Sequence, residues 1–227
     1  MNDHYHRLLD LDSNWEVADV ILDLEAGKVE IELTARKGPV KCPECGASCP
    51  VADHAPERKW RHLDTMQFQT ILRARVPRSQ CGECDVKTVS VPWAGKHSRF
   101  TLMFEAFVIK LLETCGNVDR ARRFLGMSWD AVHRVMERAV ARGLARRADE
   151  PLRHLGIDEK SFKRGHSYVS ILCDLEGSRV LEVTPGRDGE AAMGLLESLP
   201  KAHREAVEAV AMDMWPAYRN AVEKVLP

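Results

Sequence analysis

The N-terminal part of the chain alternates apolar and polar positions with the period of two that is typical of β-strands. Val17–Leu24 is rich in β-branched and aliphatic residues, and the alternation resumes over residues 29–33 after a turn at Glu25–Lys28. This pattern predicts a two-stranded hairpin over residues 15–35. Short strand-like runs return between residues 60 and 91, so the whole region is expected to be rich in β-structure.

The next block of the chain has the helical period instead. The first of three predicted helices has an apolar face made up of Phe104, Phe107, Val108, Leu111 and Leu112. It is expected to end near Gly116, and two further helices are predicted over residues 119–125 and 129–147. Gly126 should break the second helix, and Ser128 is the expected N-cap of the third.

A third pattern begins at residue 154, where short strands alternate with helices. The predicted strands cover residues 155–158, 168–175, 179–183 and 207–214, and the predicted helices cover residues 190–199 and 216–225. The order β-β-β-α-β is that of a ribonuclease H-like sheet, in which the first and fourth strands become parallel neighbours. The C-terminal block is therefore expected to contain a mixed sheet of this kind.

Charge is unevenly distributed along a chain whose net charge is −1. Residues 36–147 carry 21 basic and 11 acidic side chains, whereas residues 1–35 carry 2 and 9, and residues 151–227 carry 10 and 12. A basic middle block indicates a polyanionic partner for that block. An arginine-rich surface that is merely solvated is the alternative interpretation.

The sequence has no apolar run near the roughly 20 residues that span a bilayer. Its start is polar and acidic rather than basic and then apolar, so no secretory signal is predicted. We therefore expect a cytoplasmic, nucleoid-associated protein whose seven cysteines stay reduced.

Two Cys-x-x-Cys motifs, Cys42–Cys45 and Cys81–Cys84, are separated by 35 residues. Two residues between cysteines allow both thiolates to bind one tetrahedral metal while the backbone turns, and Gly46 and Gly82 are expected to supply the positive φ of these turns. The four thiolates of Cys42, Cys45, Cys81 and Cys84 predict a closed, structural Zn²⁺ site. Disulfides, or a redox-active pair, are the alternatives, but the compartment disfavours the first and the second needs no repeated motif.

The remaining cysteines have other expected roles. Cys49 and His54 are alternative ligands for the same metal. Cys115 and Cys173 are expected to be buried apolar residues.

The three predicted helices, with Gly126 at the tight turn before the third, match a helix-turn-helix arrangement. Four arginines recur at intervals of four along the third helix, and this spacing predicts one face that contacts DNA phosphates: Arg134, Arg138, Arg142 and Arg146. Ser128, Trp129, Asp130 and His133 lie near the start of this helix, where they would approach base edges. The alternative is a solvated arginine face on a helical cluster that does not bind DNA.

Two acids are predicted at the ends of strands in the C-terminal block. Asp158 ends the first strand and Asp213 lies late in the fourth, so the predicted topology places them side by side. Such a pair can share the Mg²⁺ ions that phosphodiester chemistry requires. We therefore predict Asp158 and Asp213 as catalytic residues and magnesium ligands, with ordinary strand-end acids as the alternative.

Taken in order, these motifs resemble the ISL3 family of bacterial insertion-sequence transposases. The resemblance rests on the cysteine motifs, the three helices, Gly156-Ile157-Asp158-Glu159 with the downstream Arg164-Gly165-His166, and Met212-Asp213-Met214-Trp215-Pro216-Ala217-Tyr218. It implies a zinc finger and a helix-turn-helix that bind the terminal inverted repeats in double-stranded DNA. It also implies a ribonuclease H-like domain with an Asp-Asp-Glu triad and Mg²⁺, in which Asp158 is the first acid and Asp213 the second.

In the family the third acid, a glutamate, comes from a helix well downstream. Glu223 lies only ten residues after Asp213 and is too early to replace it. We therefore expect a chain truncated before the third catalytic acid, either a fragment or a decayed copy.

The sequence thus predicts a multidomain α+β protein. The expected domains are an N-terminal hairpin and β-rich zinc ribbon (1–98), a three-helix helix-turn-helix domain (99–150) and an incomplete ribonuclease H-like domain (151–227). The predicted function is that of a transposase that binds element ends, as a candidate homo-oligomer, and catalyses Mg²⁺-dependent strand cleavage and transfer. The alternatives are a non-catalytic DNA-binding regulator and a nuclease-fold remnant with no partner.

Overall fold

The computed structural model describes residues 2–147, 150–163 and 167–226, and these form a mixed α+β protein. The chain divides into two compact units, Met1–Arg146 and Arg147–Pro227. The Arg164-Gly165-His166 motif lies outside the described residues.

The strands and helices of the first unit are, in chain order, α1 Asn2–Leu8, β1 Trp15–Asp23, β2 Lys28–Ala35, β3 Val40–Lys41, β4 Ser48–Cys49, β5 Val51–His54, β6 Arg58–Arg61, β7 Gln69–Ala74, β8 Pro77–Cys81, β9 Asp85–Thr88, α2 Leu102–Cys115, α3 Val118–Leu125 and α4 Trp129–Ala145. Those of the second unit are β10 His154–Lys163, β11 Ser167–Asp174, β12 Arg179–Pro185, α5 Gly189–Glu197, α6 Lys201–Glu205, β13 Ala209–Met212 and α7 Pro216–Val225.

The first four-stranded sheet has the order β1-β2-β7-β6. Its β1–β2 pair is antiparallel and confirms the predicted hairpin, while β2 and β7 run parallel. Three tryptophans form the centre of its core: Trp93 packs edge-to-face on Trp15 and on Trp60, with ring centroids 4.6 Å and 5.5 Å apart. Large buried aromatic side chains contribute much of the stability of a core, so we expect this sheet to stay folded without a metal.

A second group of strands forms two small sheets beside it. β3 pairs with β4, and β5, β8 and β9 form a three-stranded sheet. The buried cluster at this end contains only Cys42, Cys49 and Cys81, with Cys84 packed against them. This region therefore lacks the large apolar side chains that hold the first sheet together.

Each helix of the α2–α4 block begins at a side-chain cap. Thr101, Asn117 and Ser128 accept hydrogen bonds from the backbone N–H groups of Phe104, Arg120 and Ala131. Gly116 and Gly126 end α2 and α3 in the left-handed conformation, with φ of 56° and 62°. Ser128 and Gly126 thus have the roles that the sequence predicts.

The buried face of α2 differs from the predicted one. Phe104 and Val108 are buried, but Phe107 is 41% exposed, and the fully buried neighbour of Phe104 is Glu105. Leu112 also packs against this cluster, so the pattern predicts the helix and most of its buried side, and it is wrong at Phe107 and misses Glu105.

The sheet of the second unit has the order β12-β11-β10-β13. Neighbouring strands are antiparallel except β10 and β13, which are parallel. Leu155 and Ile157 of β10 pack with Leu195 and Leu196 of α5 and with Tyr218 of α7. The first and fourth strands of this unit are therefore neighbours, as the predicted topology requires.

None of the helices in the described ranges combines the length and the apolar content that crossing a membrane requires.

Candidate functional site

The four cysteines of the two Cys-x-x-Cys motifs meet at one point. Their sulfur atoms all lie within 4.8 Å of one another, and the Sγ atoms of Cys45 and Cys81 are 3.6 Å apart. Four sulfurs around a tetrahedral Zn²⁺, each about 2.3 Å from the metal, lie roughly 3.8 Å from one another. All four are free thiols, so the arrangement fits a metal and not a disulfide.

The two motifs occupy equivalent turns. The first lies between β3 and β4, and the second joins β8 to β9. The chain between the motifs leaves the cysteine cluster through β5, contributes β6 and β7 to the first sheet, and returns in β8. This path explains how motifs 35 residues apart in sequence come together.

The backbone of the second turn favours the thiolate that a metal requires. The N–H groups of Glu83 and Cys84 donate to the Cys81 sulfur and lower the pKa of that thiol to about 6. In the first turn, the N–H groups of Cys45 and Glu44 likewise lower the pKa of Cys42. The second cysteine of each motif shows the opposite shift: the neighbouring sulfurs, that of Cys45 first, raise the pKa of Cys84 to about 12, and they raise the pKa of Cys45 despite the N–H of Ala47. Thiolates are the species that bind zinc, so the backbone favours a bound cation at the first cysteine of each motif.

The prediction for Gly82 is wrong. Gly46 has a φ of 76°, but the positive φ of the second turn occurs at Asp85, with a φ of 59°. Both residues directly follow the second cysteine of their motif, which is where the chain reverses. Aligning the two motifs on their cysteines would have identified Asp85, because aspartate tolerates this conformation better than most residues.

The other predicted ligands remain outside the group of four. Cys49 is buried next to it, and its thiol donates to the carbonyl of Ala47 at 3.4 Å. His54 is exposed at the end of β5. Cys115 and Cys173 are half-buried, so the expectation that they are buried apolar residues is wrong.

The arginines of α4 do not form a single solvent-facing row. Arg138 donates from Nε to Oε1 of Glu105 at 2.9 Å, and Nη1 of Arg142 lies 3.0 Å from Oε2 of the same carboxylate. The Glu105 side chain is 1% exposed, while those of Arg138 and Arg142 are 29% and 40% exposed. These two arginines therefore fasten α4 to α2 and present only part of each guanidinium to solvent.

The remaining predicted contacts of α4 are exposed. Trp129 and Arg134 project from the first turns of the helix, and His133 lies 3.5 Å from Glu137. Ser128 is occupied as the N-cap. Arg146, at the far end, donates to the carbonyl of Arg142.

The two predicted acids occupy matching positions beside neighbouring parallel strands, but not the strand positions that the sequence predicts: Asp158 lies in the middle of β10, and Asp213 immediately follows β13. Ile157 of β10 pairs with Met212 of β13, and Asp158 and Asp213 are the residues that follow each. Neighbouring strands lie about 4.8 Å apart. Because Ile157 faces the helices, Asp158 faces the other side of the sheet, and Asp213 is exposed just after Met212, the last residue of β13.

The two carboxylates also have the same local contacts. Oδ1 of Asp158 accepts the N–H of Glu159 at 2.8 Å, and Oδ1 of Asp213 accepts the N–H of Met214 at 2.7 Å. Both aspartates are exposed, and neither forms an ion pair with a described residue. Each therefore keeps one carboxylate oxygen available for a cation.

Neither neighbouring glutamate completes this pair. Glu159 faces the opposite side of the sheet and is half-buried. Glu223 is 3.8 Å from Arg219 on α7. Within the described ranges, the four cysteines are the only place where three or more potential metal ligands converge.

Three family models match consecutive stretches of the chain. A zinc-finger of transposases IS204/IS1001/IS1096/IS1165 matches residues 38–84, a helix-turn-helix domain of transposase family ISL3 matches residues 80–140, and a transposase model of the same family matches residues 155–227. The chain belongs to the ISL3 transposase family. The cysteine cluster lies within the first matched stretch, most of α4 lies within the second, and the two aspartates lie within the third.

Two curated relatives of this chain are also named as transposases. The transposase for insertion sequence element IS1001 of Bordetella parapertussis is 29% identical over 188 residues, which are 82% of this chain and 46% of that protein. The transposase for insertion sequence element IS1557 of Mycobacterium tuberculosis is 29% identical over 210 residues, which are 89% of this chain and 47% of that protein. The chain thus spans about half the length of the curated relatives it matches.

A buried polar contact supports the strand that carries Asp158. Tyr218 of α7 is fully buried, and its hydroxyl lies 3.1 Å from Oγ of Ser170, which donates to the carbonyl of Gly186. Burial raises the pKa of Tyr218, and the nearby Glu159 and Asp158 carboxylates add to this, so the hydroxyl stays protonated and donates. Ser170 is the strand partner of Glu159, so the contact fixes α7 beside the middle of β10.

We expect Tyr218→Phe to lower the free energy of unfolding by about 1 kcal/mol, because the ring keeps its place and only the hydrogen bond is lost. Urea unfolding followed by tryptophan fluorescence measures the change. Ser170→Ala should cost a similar amount, and the double variant should cost less than the sum of the two. Additive costs would show that the two hydroxyl groups do not interact.

Proposed function

We propose that this ISL3-family chain binds insertion-sequence DNA through its N-terminal unit and supplies two of the three acids of a strand-transfer site. The observation that carries the proposal is the placement of Asp158 and Asp213 one residue beyond the Ile157–Met212 pair of β10 and β13. The order β12-β11-β10-β13 supports a ribonuclease H-like fold for this unit. The three capped helices α2–α4 support a helix-turn-helix domain.

The zinc site is part of this proposal. Cys42, Cys45, Cys81 and Cys84 would hold one structural Zn²⁺, with no position left open for water. Its role would be to keep the ribbon folded, meaning here the two small sheets β3-β4 and β5-β8-β9, because the buried cluster there offers only cysteine side chains.

The two aspartates would hold divalent cations on the open face of the sheet. Bound there, Mg²⁺ would supply an activated water or 3′-hydroxyl and stabilise the leaving oxygen. Asp158 and Asp213 would position the ion through the oxygens that the backbone leaves free, while the Tyr218–Ser170 contact keeps their strands aligned. The third acid would come from outside the described residues.

The DNA partner follows from the basic middle block and the exposed start of α4. Ser128, Trp129, His133, Arg134, Arg138 and Arg142 would form the DNA-contacting surface, with Arg138 and Arg142 also holding Glu105. We further propose that the DNA target is the terminal inverted repeats and that several copies of the chain assemble there. The proposed location is the cytoplasm, at the nucleoid.

We expect Asp158→Asn and Asp213→Asn each to weaken Mn²⁺ binding by at least about tenfold. Losing a residue that only hydrogen-bonds to a metal ligand already weakens metal binding about 10–100-fold, and losing a ligand itself should cost no less than the lower figure. Mn²⁺ serves as the probe because it accepts the same oxygen ligands as Mg²⁺. Water-proton relaxation during a Mn²⁺ titration of the zinc-loaded chain gives the affinity.

Glu223→Gln is the matched control, because it removes an exposed carboxylate of the same unit and should leave Mn²⁺ binding unchanged. If the Asp158 and Asp213 variants bind Mn²⁺ as tightly as the native chain, the two aspartates do not form a metal site. Circular dichroism of each variant excludes loss of folding as the cause.

A second candidate is a DNA-binding regulator without catalytic activity. The absence of a third converging acid among the described residues favours it for this chain taken alone. Nicking of supercoiled DNA that carries the element ends separates the two functions. Mg²⁺-dependent nicking that Asp158→Asn abolishes supports the enzyme, whereas tight DNA binding without nicking supports the regulator.

A further inference from the structure

A basic pocket lies between the segment that precedes α2 and the first turns of α4. Its volume is about 450 Å³, and the described residues that line it include His97, Arg99, Ser128, Asp130, Arg134 and Arg138. Three of the eight described lining residues, His97, Arg99 and Phe100, therefore come from outside α4 and its N-cap. Nothing in the spacing of residues along α4 indicates this contribution.

Two of its arginines have no internal partner. Arg99 and Arg134 are exposed, and no described carboxylate lies within ion-pair distance of either guanidinium. Arg138 is already balanced by Glu105. Asp130 is the one carboxylate among the described lining residues, so the pocket carries an excess of positive charge.

Both walls of the pocket are held in place before any ligand binds. On one side, the carbonyl of Arg99 accepts the N–H of Arg61 at 2.9 Å, which ties the segment to β6. In the same segment, Ser98 donates through Oγ to Glu105 of α2 at 2.8 Å, and this carboxylate also accepts a hydrogen bond from Arg138 on the opposite wall. One buried carboxylate thus connects the two walls.

The backbone at the rim has an unusual conformation. His97 has a φ of 60°, a conformation that few residues other than glycine adopt. The N–H of Ser98 donates to the carbonyl of Gly95 at 3.1 Å, which closes a turn there. This turn directs the chain so that Arg99 lines the same pocket as Arg134.

We infer that this pocket binds a phosphate diester of the DNA backbone, and that His97 and Arg99 therefore belong to the DNA interface. Two unpaired guanidinium groups provide planar donors suited to phosphate oxygens, and the start of α4 adds the positive end of a helix. Because the walls are prearranged, binding orders few side chains. The inference rests on the proposed DNA-binding function and extends it to the segment between the ribbon and the helices.

The test is fluorescence anisotropy of a fluorescein-labelled random-sequence duplex, titrated with the zinc-loaded chain over a range of salt concentrations. Arg99→Gln and Arg134→Gln should each weaken binding severalfold and reduce the slope of log K against log salt by about one, the value for one lost phosphate contact. Asp130→Asn should strengthen binding, because it removes the one opposing charge.

Arg36→Gln is the matched control, since Arg36 is an arginine of the same unit that pairs with Glu16 on the first sheet. Its salt slope should equal that of the native chain. If the native chain binds the duplex and the Arg99 and Arg134 variants keep its slope, the pocket inference is wrong while the DNA-binding function stands. If the native chain binds no duplex, the proposed function itself fails.

Titration calorimetry with inorganic phosphate alone distinguishes the two sources of the anion. Phosphate binding that Arg99→Gln abolishes, together with unchanged duplex binding, would make this a site for a free anion and overturn the inference. If inorganic phosphate binds weakly or undetectably and the Arg99 and Arg134 variants have a reduced salt slope, the inference is supported. The pocket then holds a DNA phosphate as part of a longer contact.

Discussion

Removal of zinc is expected to unfold the ribbon while the tryptophan core of the same unit stays folded. Structural Zn²⁺ contributes about 10–16 kcal/mol in small zinc-finger peptides near neutral pH, which exceeds what a few short strands can supply. The strands of the ribbon bury cysteines and no large apolar residue. The first sheet, in contrast, buries Trp15, Trp60 and Trp93 together with aliphatic side chains.

Hydrogen–deuterium exchange before and after chelation measures this directly. Peptides that cover residues 40–54 and 77–88 should lose protection, whereas those from β1, β2 and the second unit should keep it. Cys81→Ser should reproduce the effect of the chelator and reduce the bound zinc from about one ion per chain to near none. Elemental analysis gives the metal content.

Cys115→Ser is the control, because this thiol lies on α2, outside the group of four. Its zinc content and exchange pattern should match those of the native chain. Full protection of residues 77–88 in a preparation free of metal would show that the ribbon is stable without zinc, and the structural role of the site would be wrong.

Much of the second unit could be predicted because its signals are local. Pro216 begins α7 and the apolar positions after it follow the helical period, so the observed bounds agree with the predicted ones. The first and fourth strands are neighbours because the order of strands and helices allows few other arrangements. Once that order is known, the adjacency of Asp158 and Asp213 follows from counting residues along two strands.

The first unit was harder to predict because its contacts are distant in sequence. The chain between the cysteine motifs contributes β6 and β7 to the sheet of the N-terminal hairpin, and no periodic pattern reports such an exchange between sheets. Trp93 likewise follows the second cysteine motif but packs between Trp15 and Trp60. Local patterns identify strands, whereas their partners depend on the tertiary fold.

The arginines of α4 show the limit of reading charge from spacing alone. Intervals of four place Arg134, Arg138 and Arg142 along one side of the helix, and an exposed, DNA-facing row was the natural prediction. The structure places a buried glutamate opposite two of them. Glu105 could have been noticed in the sequence, because it lies one turn before Val108 and one turn after Thr101, on the side that α2 buries.

Glu105 is the most strongly enclosed charge of the first unit. Its carboxylate accepts Ser98 Oγ at 2.8 Å and Arg138 Nε at 2.9 Å. Oε2 of Glu105 lies 3.0 Å from Nη1 of Arg142, and Nη2 of Arg138 lies 2.7 Å from Oε1 of Glu105. Neither contact has the geometry of a hydrogen bond, so both are ionic. The two arginines neutralise the buried carboxylate, and the carboxylate in turn joins α2, α4 and the segment before α2.

We therefore expect Glu105→Gln to lower the free energy of unfolding of the first unit by about 2–3 kcal/mol. Breaking a buried ion pair costs roughly 3–5 kcal/mol, and the lower figure applies because Arg138 and Arg142 remain partly exposed and can be solvated. Glu113→Gln, an exposed glutamate on the same helix, should change stability by less than about 0.5 kcal/mol. Urea unfolding followed by helical circular dichroism compares the two. Equal, small effects would mean that apolar packing of α2 against α4 holds the block together, and that the two arginines of α4 are free to act on DNA alone.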